Sequence, residues 1–318
     1  MVRDRKPQAI TLAIGDGAND VNMISGAHIG VGIKGLEGSQ AARMSDFAIG
    51  EFKLLRRLVL AYGRECYRTN TDLIGYFFYK NLIIVLPQIW ISPLTGFSGQ
   101  VVYEPFIFEF YNVMFTSLPV LVYALFDREY SLDHLMNNYK YYKLGQSNQQ
   151  FTTQYIFTRW VSRSAIQSVL LCYFAYITIE YNFLANGMIF DYWTTGMAIF
   201  SGIIVVANLE LFNLHNFHSP LTILIIFGSI LSYFATLFVF GLFKGNPLYQ
   251  IFHRLLDTPQ FYTYLLIGIY ICCVLSSSIF KVIALFGKVA LGKGMRMPLP
   301  HSRASDFRRR YTGFAYSG

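Results

Sequence analysis

The chain has 318 residues, of which 54% are hydrophobic and 14% charged, with a formal net charge of +8 and a mean hydropathy of +0.39. A soluble domain carries about 25% charged residues, so one large water-soluble globule is excluded. The basic residues cluster before residue 71 and from Lys281 onward, flanking the apolar runs. That is a membrane-topology pattern, and with no basic face carrying interleaved aromatics it excludes a nucleic-acid partner.

The first fifty residues read as a small α/β segment. Ala9 to Ile14 is a short β-branched run expected to form a buried parallel strand. An acidic loop follows from Gly15 to Asp20, then a short helix from Val21 to His28. Ile29 to Ile33 is expected as a second strand, Leu36 to Met44 as a second helix, and Phe47 to Ile49 as a third strand. This order is half of a doubly wound sheet, in which ligands sit at the carboxyl ends of the strands, where the acidic loop falls. About forty residues are too few for an independent core of this kind, so the segment is expected to be the end of a larger domain.

Phe52 to Asp72 is charged and helical in pattern, with Gly63 as its one helix breaker, and is expected to be a stalk running into the first span. Six transmembrane helices are expected, at Leu73–Gly96, Pro105–Phe126, Trp160–Tyr181, Trp193–Leu214, Leu221–Phe243 and Phe261–Phe286, each near the ~20 residues a bilayer requires. The Lys/Arg distribution among the loops places both termini in the cytosol. Trp90, Trp160 and Trp193 near the span ends are expected to form an aromatic belt. Cys66, Cys172, Cys272 and Cys273 show neither metal spacing nor a disulfide framework. The expected domains are therefore 1–51 (partial α/β segment), 52–72 (stalk), 73–286 (six-helix membrane domain) and 287–318 (basic cytosolic tail).

The loop carries the chemistry. Asp16 and Asp20 lie four residues apart with Asn19 between them, and Gly15 and Gly17 let the backbone approach closely. Mg²⁺ takes one or two carboxylates and completes its shell with water and phosphate oxygens, and an Asn amide can donate to a phosphoryl oxygen. A bare Gly-Asp-Gly would be only a polar turn with a capping Asp. The full run Thr11-Leu12-Ala13-Ile14-Gly15-Asp16-Gly17-Ala18-Asn19-Asp20-Val21-Asn22-Met23-Ile24 is more specific. It resembles the hinge motif of P-type ATPases, in their haloacid-dehalogenase-like phosphorylation domain. Gly32-Ile33-Lys34-Gly35-Leu36-Glu37-Gly38-Ser39-Gln40-Ala41, Tyr79-Lys80-Asn81, Gly96-Phe97-Ser98-Gly99-Gln100 and Tyr111-Asn112-Val113-Met114-Phe115-Thr116-Ser117-Leu118-Pro119 resemble the type IV branch, the phospholipid flippases.

The resemblance implies an ATP-driven translocase that moves an aminophospholipid or related lipid toward the cytosolic leaflet. It implies Mg²⁺ at Asp16 and Asp20, and a nucleotide- and phosphate-ordering role for Asn19 and Asp20. It also implies a two-span accessory β subunit as partner, alongside substrate phospholipid and membrane lipids, and a multi-pass protein of Golgi, endosome or plasma membrane. The family's phosphorylated Asp-Lys-Thr-Gly does not occur in these 318 residues. The chain alone is therefore expected not to hydrolyse ATP, and a truncated, non-catalytic membrane-binding or regulatory module stands as the alternative.

Lys80 lies seven residues inside the first span, where a charge costs about 2.5–3.5 kcal/mol on insertion scales, so it is expected to face protein or water with Asn112 as a neighbour. The resemblance places Lys80, Asn81 and Asn112 on the headgroup path. Ion-pumping relatives carry mid-span carboxylates that are absent from these two spans. Pro87 and Pro119 are expected to kink or locally unwind their spans. Glu180 and Glu210 are expected at the interface, and His215 and His218 in a short cytosolic turn. The tail ends in Gly313-Phe314-Ala315-Tyr316-Ser317 behind Arg308-Arg309-Arg310. As a basic cluster it would attract anionic lipid, and its last five residues resemble a regulatory flippase word, Gly-Phe-Ala-Phe-Ser.

Overall fold

A computed structural model describes residues 9–35, 39–138, 153–180 and 190–270, together with Arg5, Tyr141, Tyr142, Cys272 and Val274. The tail motif Gly313 to Ser317, most of the sixth expected span, residues 36–38 and the Glu180 side chain lie outside the described residues. The chain divides into two compact units, Met1–Tyr67 with Tyr130–Ser147, and Arg68–Glu129 with Asn148–Gly318.

In the first unit, β1 (Leu12–Gly15), α1 (Val21–Gly26), β2 (Ile29–Ile33), α2 (Gln40–Arg43) and β3 (Phe47–Ile49) alternate as the hydrophobic pattern requires. The three strands are parallel in the order β1-β2-β3, with Leu12 opposite Ile29 and Val31 opposite Phe47. Val31 is fully buried, as is Ala41 on α2. Asp46 ties the sheet together: Gly30 N donates to its carboxylate at 2.8 Å, and its own N donates to Gly30 O at 3.0 Å. Residues 130–138, with Tyr141 and Tyr142, belong to this unit as well. The Arg64 guanidinium lies 5.6 Å from the Tyr130 ring and 5.9 Å from the Tyr141 ring, and Arg56 donates to Met136 O at 2.7 Å.

The expected stalk and first expected span fall on one helical run, α3 (Leu54–Arg57), a π-helical segment (Leu58–Gly63) and α4 (Arg64–Ile91). The π turn ends at Gly63, the one breaker in the stretch. Pro87 does not unwind α4, which continues past it to Ile91.

The second unit is a helical bundle. The second span is α5 (Pro105–Phe110), a π segment (Tyr111–Phe115) and α6 (Ser117–Phe126), with Thr116 at φ −131°, ψ −11° between the last two. After α7 (Leu132–Asn137), which belongs to the first unit, come α8 (Thr153–Ala175) with a π segment (Tyr176–Glu180), α9 (Tyr192–Leu214), α10 (Pro220–Gly241), α11 (Ile251–Leu256), α12 (Pro259–Thr263) and a further π segment (Tyr264–Gly268). Among the described residues four helical runs are long and apolar enough to cross a membrane: Leu54–Ile91, Pro105–Phe126, Tyr192–Leu214 and Pro220–Gly241. The third expected span is helical through Glu180, but Arg163 and Gln167 lower its apolarity.

The bundle centres on α9, 72% of whose apolar window is buried against 22% for α10. Tyr76, Tyr79, Ile83, Tyr111, Phe115, Phe200 and Tyr233 are fully buried around it. Leu224, Leu231 and Val113 point outward as large exposed apolar side chains, as helix faces in a bilayer do. Trp160, expected in an interfacial belt, is instead 3% exposed. Its indole sits edge-on to Tyr76 and 5.5 Å from Tyr79. A tryptophan near the end of an apolar run is equally able to fill a core when a small residue opens space, and Gly75 does so.

Candidate phosphate-and-metal loop and intramembrane lysine

β1 delivers its carboxyl end to Gly15, and the chain turns through a single 3-10 turn, Ala18–Asp20, into α1. Asp20 folds its carboxylate back onto this turn: its Oδ2 accepts from Asp16 N at 3.2 Å and from Gly17 N at 3.4 Å. The turn is possible because residue 15 is glycine; a Cβ there would stand 2.6 Å from the same Oδ2. The loop therefore separates its two carboxylates. Asp20 is half-buried and committed to backbone donors, while Asp16 and Asn19 are exposed. Among the described residues no cluster of three or more His, Cys, Asp or Glu side chains could enclose a metal. A Mg²⁺ ion held by one or two carboxylates, water and phosphate needs no such cluster, and Asp16 is free to serve it.

In the second unit, Lys80 is 3% exposed on α4. Its Nζ donates to Thr116 Oγ1 at 3.0 Å and lies 5.0 Å from the centre of the Phe77 ring. The Thr116 hydroxyl donates in turn to Tyr111 O at 2.8 Å, and Tyr111 Oη donates to Lys80 O at 2.9 Å. Among the described residues no carboxylate pairs with Lys80. Its partner is Thr116 rather than Asn112, and both Asn112 and Asn81 are exposed. The three proposed path residues are thus one buried cation and two amides on open helix faces.

Two buried polar networks escaped the sequence reading. Arg163 Nη2 lies 3.0 Å from Glu210 Oε1, with Glu210 1% exposed. Gln167 Nε2 donates to the same Glu210 oxygen at 2.7 Å, and Tyr79 Oη donates to Gln167 Oε1. Glu210 is therefore internal rather than interfacial. The signal was present: Arg163 and Gln167 fall four apart on one helix face inside an expected span, where polar groups seek one another. Nearer the helix ends, Asp127 Oδ2 accepts from Arg68 Nη2 at 3.0 Å, and its Oδ1 accepts from Asn216 N at 2.7 Å and Phe217 N at 3.1 Å. His215 and His218 hold their rings 6.3 Å apart in the turn between α9 and α10.

Comparison with known proteins places the chain in one family. The profile of the phospholipid-translocating P-type ATPase C-terminal region matches residues 42–286. The chain is similar to human phospholipid-transporting ATPase IG, with 33% identity over 313 residues covering 96% of this chain and 27% of that protein. It is similar to mouse phospholipid-transporting ATPase IH at 35% identity, over 76% of this chain and 20% of that protein. With phospholipid-transporting ATPase DRS2 of Saccharomyces cerevisiae it shares 38% identity, over 71% of this chain and 17% of that protein. The chain thus spans about a quarter or less of the length of these relatives. It belongs to the phospholipid-translocating, type IV P-type ATPases, a family of ATP-dependent membrane enzymes, and corresponds to their C-terminal portion.

Proposed function

We propose that this chain forms the C-terminal part of an ATP-driven phospholipid translocase moving lipid toward the cytosolic leaflet. In that enzyme residues 1–51 would end a haloacid-dehalogenase-like phosphorylation domain, and six spans would follow a stalk. Asp16 would ligate Mg²⁺, Asn19 would donate to a phosphoryl oxygen, and Asp20 would hold the loop that presents them. The bound ion would supply charge neutralisation for phosphoryl transfer, a reaction that depends on positioning and electrostatics. Lys80, Asn81 and Asn112 would line the headgroup path.

The observation that carries this reading is Lys80, a buried lysine within an apolar helix with no carboxylate partner among the described residues. A buried unpaired cation attracts an anionic group and repels a metal ion. The test is lipid-stimulated ATP turnover by an intact phospholipid-transporting ATPase carrying this segment as its C-terminal part. Lys80→Ala is expected to change the dependence on lipid; an effect confined to metal-ion dependence would overturn the reading. A two-span accessory subunit is expected to co-purify with the intact assembly, and an endomembrane or plasma-membrane location to follow.

A second reading, from a different class, is a non-catalytic membrane module. Incubating the purified chain with Mg²⁺-ATP asks whether it can phosphorylate itself, which neither reading requires. No acid-stable phosphoenzyme is expected from the chain alone under either reading, and its appearance would show that the chain supplies a nucleophile of its own.

A further inference from the structure

Pro119 has no N–H, so the Phe115 carbonyl four residues before it has no helical donor. The second span yields there: its π segment ends at Phe115, Thr116 leaves helical geometry, and α6 starts afresh with Pro119 in its first turn. Both carbonyls at the break are covered by side chains. Asn208 Nδ2 of α9 donates to Phe115 O at 3.3 Å, and Thr116 Oγ1 donates to Tyr111 O at 2.8 Å. A hydroxyl has one proton to give. Because Thr116 gives its proton to Tyr111, its oxygen acts as acceptor toward Lys80 Nζ at 3.0 Å. The direction of the chain is therefore forced, from ammonium to hydroxyl to carbonyl. Tyr111 Oη closes the ring by donating to Lys80 O.

An ammonium carries three N–H donors. One is used by Thr116, and the Phe77 ring lies 5.0 Å from the nitrogen. Among the described residues no other hydrogen-bond acceptor is offered to Lys80. A buried donor without an acceptor is costly, so an oxygen bearing negative charge would be drawn to the same nitrogen.

We propose that Thr116 is a positioning residue for the headgroup path: it anchors the Lys80 ammonium at the break in the second span, leaving donors for an anionic phosphoryl oxygen of a lipid headgroup. The proposal rests on the lipid-path reading of Lys80 and deepens it. Thr116 acts through Lys80 and is not assigned a contact with the lipid. Asn208 serves the same break by holding the Phe115 carbonyl, so α9 fixes the place at which α5 and α6 part.

The experiment uses the intact ATPase carrying this segment, in micelles titrated with phosphatidylserine and, separately, with inorganic phosphate. Thr116→Val, which keeps the shape and removes the acceptor, is expected to raise the half-saturating lipid concentration by about tenfold or more, the scale of one hydrogen bond to a charged group, with a smaller change in maximal turnover. Thr116→Ser, which keeps the hydroxyl, is expected to remain within about twofold of wild type, because its donor and acceptor capacity is unchanged. Should the valine variant fail to fold, Thr116→Ala against Thr116→Ser gives the same comparison. If the valine or alanine variant matches wild type while Lys80→Ala alters lipid dependence, the role of Thr116 is overturned and the path reading stands. If serine loses as much as valine, the hydroxyl is not the determinant and the proposal fails. If Lys80→Ala leaves lipid dependence unchanged, the path reading falls, and the proposal with it. Inorganic phosphate is expected to leave turnover at its basal level; stimulation by it would overturn the assignment of the oxygen to a lipid.

Discussion

Arg68 and Asp127 form a buried ion pair, Nη2 to Oδ2 at 3.0 Å, with side-chain exposures of 5% and 0%. The two residues are 59 apart in the chain. Asp127 also accepts from Asn216 N, Phe217 N and Asn216 Nδ2. One carboxylate thus knots the start of the first span, the end of the second and the turn between α9 and α10. Asp127→Ala would leave the Arg68 guanidinium short of its closest anionic partner, and removing one member of a buried pair costs about 3–5 kcal/mol. Denaturation of the purified chain in detergent should show that loss. It should also show a smaller loss for Arg68→Met with Asp127→Leu together; equal losses would argue against coupling.

The Arg163–Glu210 pair should behave in the same way. Glu210→Ala leaves a buried arginine and removes one of the two acceptors of Gln167 Nε2, whose side-chain oxygen Oε1 accepts from Tyr79 Oη. A double-mutant cycle with Arg163→Met is expected to give a coupling of about 0.5–3 kcal/mol, the range for residues in one network. A coupling near zero would mean that the pair does not hold α8 to α9.

Gly75 is where the first span meets Trp160. An added Cβ at Gly75 would stand 2.1 Å from the indole Nε1, so Gly75→Ala must displace a side chain that is 3% exposed. Overpacking of this kind costs about 1–3 kcal/mol. Tryptophan emission gives the readout: it should shift to the red in Gly75→Ala and should not in Gly75→Ala combined with Trp160→Phe.

Gly15→Ala tests the acidic loop. The new methyl would collide with the Asp20 carboxylate at 2.6 Å or less, expelling it from the Asp16 and Gly17 amides. In the intact ATPase, Mg²⁺-dependent turnover is expected to fall by about tenfold or more, as small displacements of positioning groups do. Asp20→Asn, which keeps an acceptor oxygen, should lose less. Equal losses would mean that the charge of Asp20, rather than its place in the loop, is what matters.

His215, just beyond the end of α9, provides a pH test. Burial holds its imidazole below the ordinary value of 6.5, opposed by a bond to the Leu211 carbonyl at 2.8 Å and by Asp127, with His218 adding to the depression. The Tyr123 ring packs edge-on against it at 5.0 Å. The folded protein therefore resists the proton that the unfolded chain accepts. Stability should be full above about pH 6.5 and should decline as pH falls below it, where the unfolded state binds more protons. His215→Gln should flatten that part of the stability–pH curve; an unchanged slope would assign it to other groups.

Much of the architecture was legible in the residues because it rests on local pattern. The short apolar runs at Ala9–Ile14, Ile29–Ile33 and Phe47–Ile49 coincide with the three strands to within a few residues, since period and β-propensity act over short distances. Four of the expected spans coincide with helices apolar enough to cross a membrane. The side-chain partners were less legible. The sequence pattern places Trp160 and Glu210 at an interface, whereas Trp160 lies in the core and Glu210 beside Arg163. Asn112 was expected near Lys80, and Thr116 holds that place. In each case the deciding partner sits on another helix, tens of residues away.

The sequence by itself determined the family, through the run from Thr11 to Ile24 and the words around Lys80 and Asn112, and it determined that the lysine had to be buried or solvated. Only the tertiary structure decided what meets that lysine. Hydrophobic periodicity says which face of a helix turns inward, but not the rotation and depth at which two inward faces meet. That register is set by packing among side chains from separate helices, and at this site by the missing N–H of Pro119, which opens the second span where Thr116 can reach Lys80.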